Sequence, residues 1–449
     1  MEYWGKEAKL ATTAIIGLGV TGFSCLQYLY GKTDLLVVDS RERPPKAEQA
    51  VRMFPGVEFK FGIARFEPAG VDRIVVSPGV DMDGCLLRSA REQGISLSSD
   101  IDLFCAAAAA PVIAITGTNG KSTVTALAGH LIAAAGLDVG VGGNLGEPAL
   151  DLLRPERDCY VLELSSFQLE RLGIWPFAAA CILNVTEDHI DRHGSLAHYA
   201  ATKQRIFRRC ELALVNRGDP RTVPEHPVPQ TRSIGLDVPS AGDWGVDDGW
   251  LVRGDDDGPV RIVRLGELPL AGTHNQLNTL AACALAHSAG VSDAVLAEGV
   301  VSFVGLPHRC QRIAEAAGVA YIDDSKATNV GATVAALQGL GEANAKNLVL
   351  IAGGDGKGAD FSPLRPSVDR FVKALVLLGK DAPRLERALD LPIPRVHVQS
   401  MREAVAQAQA LSQPGDTVLL SPACASLDMF ANFVDRGLQF AGAVAEAVQ

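Results

Sequence analysis

None of the nine cysteines, spread from Cys25 to Cys424, forms a C-x-x-C pair. That absence excludes a zinc ribbon and a thiol redox motif and gives no disulfide framework, so the thiols read as small apolar fillers in a reducing compartment. No apolar run reaches the roughly 18 residues that a membrane-spanning helix requires, and the opening MEYWGKEAKL lacks the basic and apolar regions of a secretory leader. A cytoplasmic protein without membrane insertion is the expectation. Positive charge is scarce too: Lys plus Arg total 41 against 52 Asp plus Glu, a formal net charge of -11. With no basic stripe to neutralise a phosphate backbone, nucleic acid is not an expected partner. An anionic substrate must therefore be met by local cations, helix N-termini or metal ions.

What the chain does have is length, small residues and regular punctuation. Its 449 residues exceed the roughly 250 to 300 at which one core stops growing. An apolar content of 47% with 45 glycines and few aromatics (6%) suits an α/β chain. Short apolar runs (Ala14 to Ile16, Leu35 to Val38, Ile74 to Val76) alternate with helical stretches from Thr21 to Tyr30 and Leu86 to Gln93, which is the pattern of βαβ units. A second α/β unit follows, interrupted between Pro220 and Leu270 by short strands and turns, and a third starts after FVGLPHR. The predicted architecture is α/β in three domains. Residues 1–98 are Rossmann-like, 99–305 form a P-loop ATPase-like α/β domain with a small β-rich part, and 306–449 are Rossmann-like. The acidic loop Asp255 to Asp257 matches no cation-loop spacing and reads as a solvated turn.

Residues 115 to 136 read ITGTNGKSTVTALAGHLIAAAG. A strict Walker A sequence would need glycine where Ile115 stands, so the match is to a shorter G-x-x-G-K-[ST] form. Its context is a strand, a glycine turn and a helix starting near Ser122, whose free N–H groups and dipole favour an anion. Lys121 would then meet terminal phosphates and Ser122 a magnesium ion. The bland alternative is an ordinary turn with a surface lysine. Upstream, IIGLGVTG sets Gly17, Gly19 and Gly22 in G-x-G-x-x-G spacing, and Asp39 ends the next strand, as in a dinucleotide fold. The glycines point to a nucleotide-like ligand, or else serve only a tight turn and helix packing.

Glu163 leaves the strand CYVLEL at its C-terminal edge, where a carboxylate is placed to hold Mg²⁺ directly or through water. His189, in NVTEDHIDRH, follows the next strand and would add a nitrogen ligand or position an anion, although a lone loop histidine is more often bland. Asn275 and Asn278, spaced i, i+3, share a helix face suited to a purine edge. The competing reading makes Asn275 a helix N-cap.

The segments GTNGKST, ELSSFQLE, NVTEDHIDRHGSLAHYAATKQRIF, GTHNQLNTLAA, GLPHRCQ, DDSKATN, GGDGKGADF and LSPACASLDMF follow one another over nearly the whole chain. Together they resemble the Mur ligases, and within them the branch that joins D-glutamate to UDP-N-acetylmuramoyl-L-alanine in peptidoglycan synthesis. The resemblance implies an acyl phosphate: the substrate carboxylate takes the γ-phosphate of ATP and is then attacked by the amine of D-glutamate. It assigns Thr118, Asn119, Gly120, Lys121, Ser122 and Thr123 to the ATP phosphates, with Asn275 and Asn278 at the purine. Arg309 (phosphate) and Asp324 (ribose) belong to the third domain and would have to swing in. Ser122 and Glu163 would serve one Mg²⁺, His189 and a carbamylated Lys203 a second. Read from the sequence alone, Lys203 is an exposed helix lysine.

By the same resemblance Thr328, Lys357, Ser426 and Phe433 grip D-glutamate. Thr21, Asp39, Ser40, Arg41, Ser77 and Gly79 form a uridine-diphosphate site, and Asn144 contacts the muramoyl part. A monomer is expected. A sibling Mur ligase or a folylpolyglutamate synthetase would share the phosphate loop, Glu163, His189 and Lys203. An NAD-dependent oxidoreductase rests only on Gly17, Gly19, Gly22 and Asp39, and a non-catalytic nucleotide switch would bind ATP without amino-acid-dependent turnover.

Overall fold

The computed structural model describes residues 11–270, 272–342 and 345–448. Three sheets follow one another along the chain. The first holds β1 (Thr12–Ile16), β2 (Asp34–Asp39), β3 (Glu58–Phe61), β4 (Arg73–Val76) and β5 (Ser96–Ser98), all parallel, in the order β3-β2-β1-β4-β5. The order reverses between β1 and β4, and the crevice above their C-terminal ends is where such sheets place ligands. There the Ser77 hydroxyl donates to the carbonyl of Gly17 at 2.8 Å. Gly22 lets the helix Val20–Leu29 lie against that turn, because a Cβ at this position would meet the Gly17 carbonyl oxygen at 1.9 Å.

The second sheet holds β6 (Val112–Thr116), β7 (Val139–Gly143), β8 (Cys159–Glu163), β9 (Ala179–Ile182), β10 (Leu212–Asn216), β11 (Gln230–Ile234), β12 (Trp244–Asp247), β13 (Trp250–Arg253) and β14 (Val260–Arg264). Its order is β14-β13-β12-β11-β10-β9-β6-β8-β7. Every residue of β6, β8 and β9 is buried, as apolar strands covered on both faces must be. The β-rich part expected between 220 and 270 extends this same sheet, turning antiparallel at β12, β13 and β14. Its acidic loop is a turn in which Arg253 pairs with Asp255 at 2.8 Å.

The third sheet holds β15 (Gln311–Ala316), β16 (Val319–Asp323), β17 (Leu348–Gly353), β18 (Val372–Leu378), β19 (Arg395–His397) and β20 (Thr417–Leu420), ordered β15-β16-β20-β17-β18-β19 with only β15 antiparallel. Separate apolar clusters cover its two faces. The first two sheets instead share one cluster, into which the helix Asp100–Ala107 sends Ile101 and Phe104. Phe104 meets Tyr160 of β8 edge-on at 4.9 Å. Among the described residues no helix is long and apolar enough to cross a membrane.

Candidate active site

The C-terminal ends of β6, β8 and β9 open onto a cavity of about 370 Å³ whose far wall comes from the third sheet's loops. After β6 the chain turns on Gly117 and on Gly120, which has φ +85° and caps the helix Lys121–Ala134. A Cβ at Gly120 would meet Asn278 Oδ1 at 2.3 Å, so the turn needs glycine for both its conformation and its neighbour. The helix begins at Lys121, so the N–H groups of its first turn have no intrahelical acceptor and a positive dipole end faces the turn.

The segment after β9 braces this loop. The backbone N–H of Thr118 donates to the carbonyl of Asn184 at 2.9 Å, and that of Asn119 to Asn184 Oδ1, also at 2.9 Å. Asn184 Nδ2 returns a bond to the Asn119 carbonyl at 3.0 Å, and Thr186 N–H donates to Thr118 Oγ1 at 3.0 Å. Lys121 folds over the loop, its ammonium donating to the carbonyls of Gly117 (2.9 Å) and Thr118 (2.7 Å). Burial holds its pKa below the ordinary lysine value, against the pull of Glu163 and Asp188. Ser122 and Thr123 are both buried at the same turn.

Glu163, at the end of β8, is buried, and its Oε1 accepts from Asn144 Nδ2 at 2.6 Å while Oε2 has no partner. A buried carboxylate oxygen left unpaired is costly unless a cation or ligand completes it. That oxygen and the buried Ser122 hydroxyl fit the hard-oxygen donor set of Mg²⁺. Among the described residues no three His, Cys, Asp or Glu side chains gather as a self-sufficient metal cluster. Asn144 thus belongs to the phosphate-loop cavity.

His189 has φ 52° and its ring lies 4.9 Å from that of Phe167; burial lowers its pKa, so the imidazole is held neutral as a ligand must be. Lys203 departs most from what the sequence suggests. It lies on the helix Leu196–Gln204 and is 1% exposed, which corrects the reading of a solvated helix lysine. Its Nζ donates to the Gly117 carbonyl at 2.8 Å and sits 4.4 Å from the Tyr199 ring centre. Burial, and then the charge of Lys121, drives its pKa well below the ordinary value. Both effects move Lys203 toward the neutral amine relative to a solvated lysine.

The third sheet reaches the same cavity. Arg309 and Asp324 both line it, so in this arrangement neither has to swing in, as the sequence had implied. Burial lowers the Arg309 pKa and pushes Asp324 up to about 7, although Ser421 Oγ donates to its carboxylate at 2.8 Å. Asn275 and Asn278 are buried in the cavity wall, Asn278 Nδ2 donating to Asn275 Oδ1 at 3.1 Å. Gly272 caps their helix, which begins at Thr273, so Asn275 is not the N-cap.

Thr328 lines the cavity directly. Lys357, Ser426 and Phe433 are not among the residues that line it. Lys357 Nζ is 4.0 Å from Asp188, Ser426 is buried, and the Phe433 ring carries Lys326 Nζ 3.9 Å from its centre. Sequence reasoning passed over Asn184, Asp188, Lys326 and Asn329, all of which line the cavity. DDSKATN had signalled the last two, but only two of its seven residues were taken up.

The first-domain candidates lie apart from this cavity, around the crevice of the first sheet. Asp39 is buried and accepts four hydrogen bonds: from Leu18 N–H (2.7 Å), and from Arg41 N–H (2.9 Å), Nε (2.9 Å) and Nη2 (2.6 Å). Burial alone would raise its pKa, but these bonds hold it below the usual carboxylate value. These bonds set the loop and aim the half-exposed Arg41 side chain along the crevice. Thr21 is partly buried in the first helical turn, and Ser40, Arg41 and Gly79 are exposed around the same crevice. The loop carrying Ser77 and Gly79 is tied to the central sheet by Arg171, which donates to the carbonyls of Pro78 (2.9 Å) and Val80.

Residues 11–99 match the family description "Mur ligase MurD-like, N-terminal domain", 115–286 "Mur ligase middle domain" and 308–424 "Mur ligase, glutamate ligase domain". The chain belongs to the Mur ligase family. It is 47% identical to the UDP-N-acetylmuramoylalanine–D-glutamate ligase of Pseudomonas aeruginosa over 440 residues, covering 96% of this chain and 97% of that one. It is 44% identical to the enzyme of the same name from Legionella pneumophila, covering 96% and 98%. Among solved structures, the UDP-N-acetylmuramate–alanine ligase of Thermotoga maritima superimposes with a TM-score of 0.61 at 18% identity, covering 97% of this chain and 99% of that one. At that identity the likeness speaks for the three-domain Mur ligase fold alone.

Proposed function

We propose that this Mur ligase uses ATP to join D-glutamate to UDP-N-acetylmuramoyl-L-alanine through an acyl phosphate. The observation that carries the reading is the unpaired buried Glu163 Oε2 beside the Lys121 loop, in one cavity with Arg309 and Asp324. A carboxylate is a poor electrophile at neutral pH. Its attack on the γ-phosphorus of ATP forms a P–O bond, releases ADP and creates a leaving group. The amine of D-glutamate then attacks the acyl carbon, the amide bond forms, inorganic phosphate departs and the amine loses a proton. Negative charge builds on transferring oxygens in the first step, and preorganised cations in a dry cavity are what such a step needs.

In this reading Thr118 to Thr123 wrap the phosphates, Lys121 and Arg309 offset their charge, and Asn275, Asn278 and Asp324 hold the nucleoside. Ser122 and Glu163 would hold one Mg²⁺, and His189 with carbamylated Lys203 a second; these ions supply charge neutralisation. Thr328, at the cavity wall, grips the amino acid with Lys357, Ser426 and Phe433. Thr21, Asp39, Ser40, Arg41, Ser77 and Gly79 take the uridine diphosphate, and Asn144 the muramoyl end. We divide the chain into domains at residues 98 and 305 and assign it to the cytoplasm as a monomer. The Mur ligase family matches along all three sheets and the 47% identity to a D-glutamate ligase favour this reading over an NAD-dependent oxidoreductase.

Two measurements test it. ADP release with UDP-N-acetylmuramoyl-L-alanine should depend on D-glutamate and not on L-glutamate, L-alanine or a diamino acid. Oxygen-18 in the substrate carboxylate should appear in inorganic phosphate. Turnover with no such transfer would overturn the acyl phosphate, and equal response to the amino-acid panel would overturn the substrate.

A further inference from the structure

Asn329, one residue beyond Thr328, uses both ends of its side chain. Its Oδ1 accepts from Ala332 N–H at 2.9 Å and so caps the helix Val330–Leu340. Its Nδ2 donates across the cavity to Asn119 Oδ1 of the phosphate loop (3.2 Å) and to Asp188 Oδ2 (3.1 Å). The approach is close: a Cβ on Gly331 would stand 3.2 Å from Asn119 Nδ2 and 3.3 Å from Thr186 Oγ1. Three residues apart or less, then, the chain touches the proposed amino-acid subsite through Thr328, the phosphate loop through Asn329 and the brace of that loop through Gly331.

We propose that Asn329 is a positioning residue that fixes the amino-acid subsite in register with the phosphate loop. One amide spans both, so a shift of either surface stretches the same two hydrogen bonds, one of them to a carboxylate and therefore the stronger. Correct register matters because the amine must arrive close to and in line with the activated carbon. The inference rests on the reading given under Proposed function.

The test separates the bridge from the cap. Asn329→Asp keeps a good N-cap but removes both donated bonds and turns a carboxylate toward Asp188. Asn329→Ser also keeps a cap and is too short to bridge, with no added charge. Both proteins should remain folded at the assay temperature and raise the KM for D-glutamate at least about 10-fold, as the loss of one charge-assisted and one neutral bond implies. The KM for the UDP-substrate should change less than about two-fold.

The Asn329→Asp exchange should cost much less in an Asp188→Asn background, where the amide lies on the opposite side and donates back. Equal cost in both backgrounds, or an unchanged KM for D-glutamate in Asn329→Ser, would overturn the inference alone. A wild type without D-glutamate-dependent ADP release would overturn the underlying reading first, and the inference with it.

Discussion

Lys203 Nζ lies 2.8 Å from the carbonyl oxygen of Gly117, the same carbonyl to which Lys121 donates at 2.9 Å. Two lysines converge on one turn, and the second cannot carry its proton comfortably beside the first. Replacing Lys203 by alanine should lower kcat about 10²- to 10³-fold, the loss typical of removing a preorganised electrostatic group. Short carboxylic acids, which supply the oxygens of a carbamate, should restore part of it. Arginine at the same position, unable to add CO₂, should not be active. Steady-state rates with and without added acetate check both expectations.

The same burial makes a pH prediction. Lys203 titrates well below the ordinary 10.5 in the folded protein. Between those two values the unfolded chain holds a proton that the folded chain does not, so stability rises with pH across that window. In CO₂-free buffer, where Lys203 keeps its free amine, Lys203→Met removes the group and should flatten that rise below pH 10.5. Urea unfolding at a series of pH values measures it; an unchanged slope in the variant would refute the assignment.

The phosphate loop offers a conformational test. Gly120 combines φ +85° with an Asn278 oxygen 2.3 Å from the place of a Cβ. Alanine there should cost about 1 to 2 kcal/mol for the left-handed backbone alone. It should also displace Asn278, a proposed nucleoside contact, and raise the KM for ATP about 10-fold. Calorimetry and ATP titration read the two effects separately. Wild-type affinity together with lowered stability would remove Asn278 from the nucleotide site.

Much of this was legible before any coordinates, and the rest was not for definable reasons. Glycine turns declare themselves locally, so Gly17, Gly19, Gly117 and Gly120 fell at strand-to-helix junctions as their spacing predicted. Carboxylates at strand ends, such as Glu163, are equally local. Lys203 was misread because the helix Leu196–Gln204 mixes polar and apolar residues on every face, and nothing in it says which face another domain element covers. Asn275 looked like a cap only because the true start, at Thr273 behind Gly272, is two residues earlier. Asn184 was invisible because its partner lies 65 residues away in sequence, and Asn329, although inside the DDSKATN motif, showed no role because its partner lies 210 residues away.

Glu163 ties the metal expectation to a single atom. Its Oε1 is already taken by Asn144, so Oε2 is the oxygen left for a cation. Glu163→Gln should raise the Mg²⁺ concentration needed for half-maximal rate and lower kcat about 100-fold. Folding should not suffer, since an isosteric amide removes a buried unpaired charge. A variant with the wild-type Mg²⁺ dependence would move the ion elsewhere.

Arg171 makes the opposite kind of prediction, one about the distance between domains. Its side chain is 2% exposed and donates to three carbonyls: Phe167 of the short helix Ser166–Leu169, and Pro78 and Val80 of the loop that carries Ser77 and Gly79. Arg192 adds a bond to Val80 at 3.1 Å and pairs with Glu170 at 2.9 Å. Methionine in place of Arg171 fills the volume and leaves those carbonyls without their donor, at about 1 to 3 kcal/mol for each one kept from water. The loop should then drift from the central cavity, lengthening the path from the proposed uridine-diphosphate crevice to Glu163 and His189. The expected signature is a rise of about 10-fold in the KM for the UDP-substrate with less than two-fold change for ATP. Arg192→Met, which loses one exposed-side bond to the same loop, should show the same pattern more weakly. Equal rises for both substrates would mean that the clamp stabilises the protein as a whole and does not set the register of the first domain.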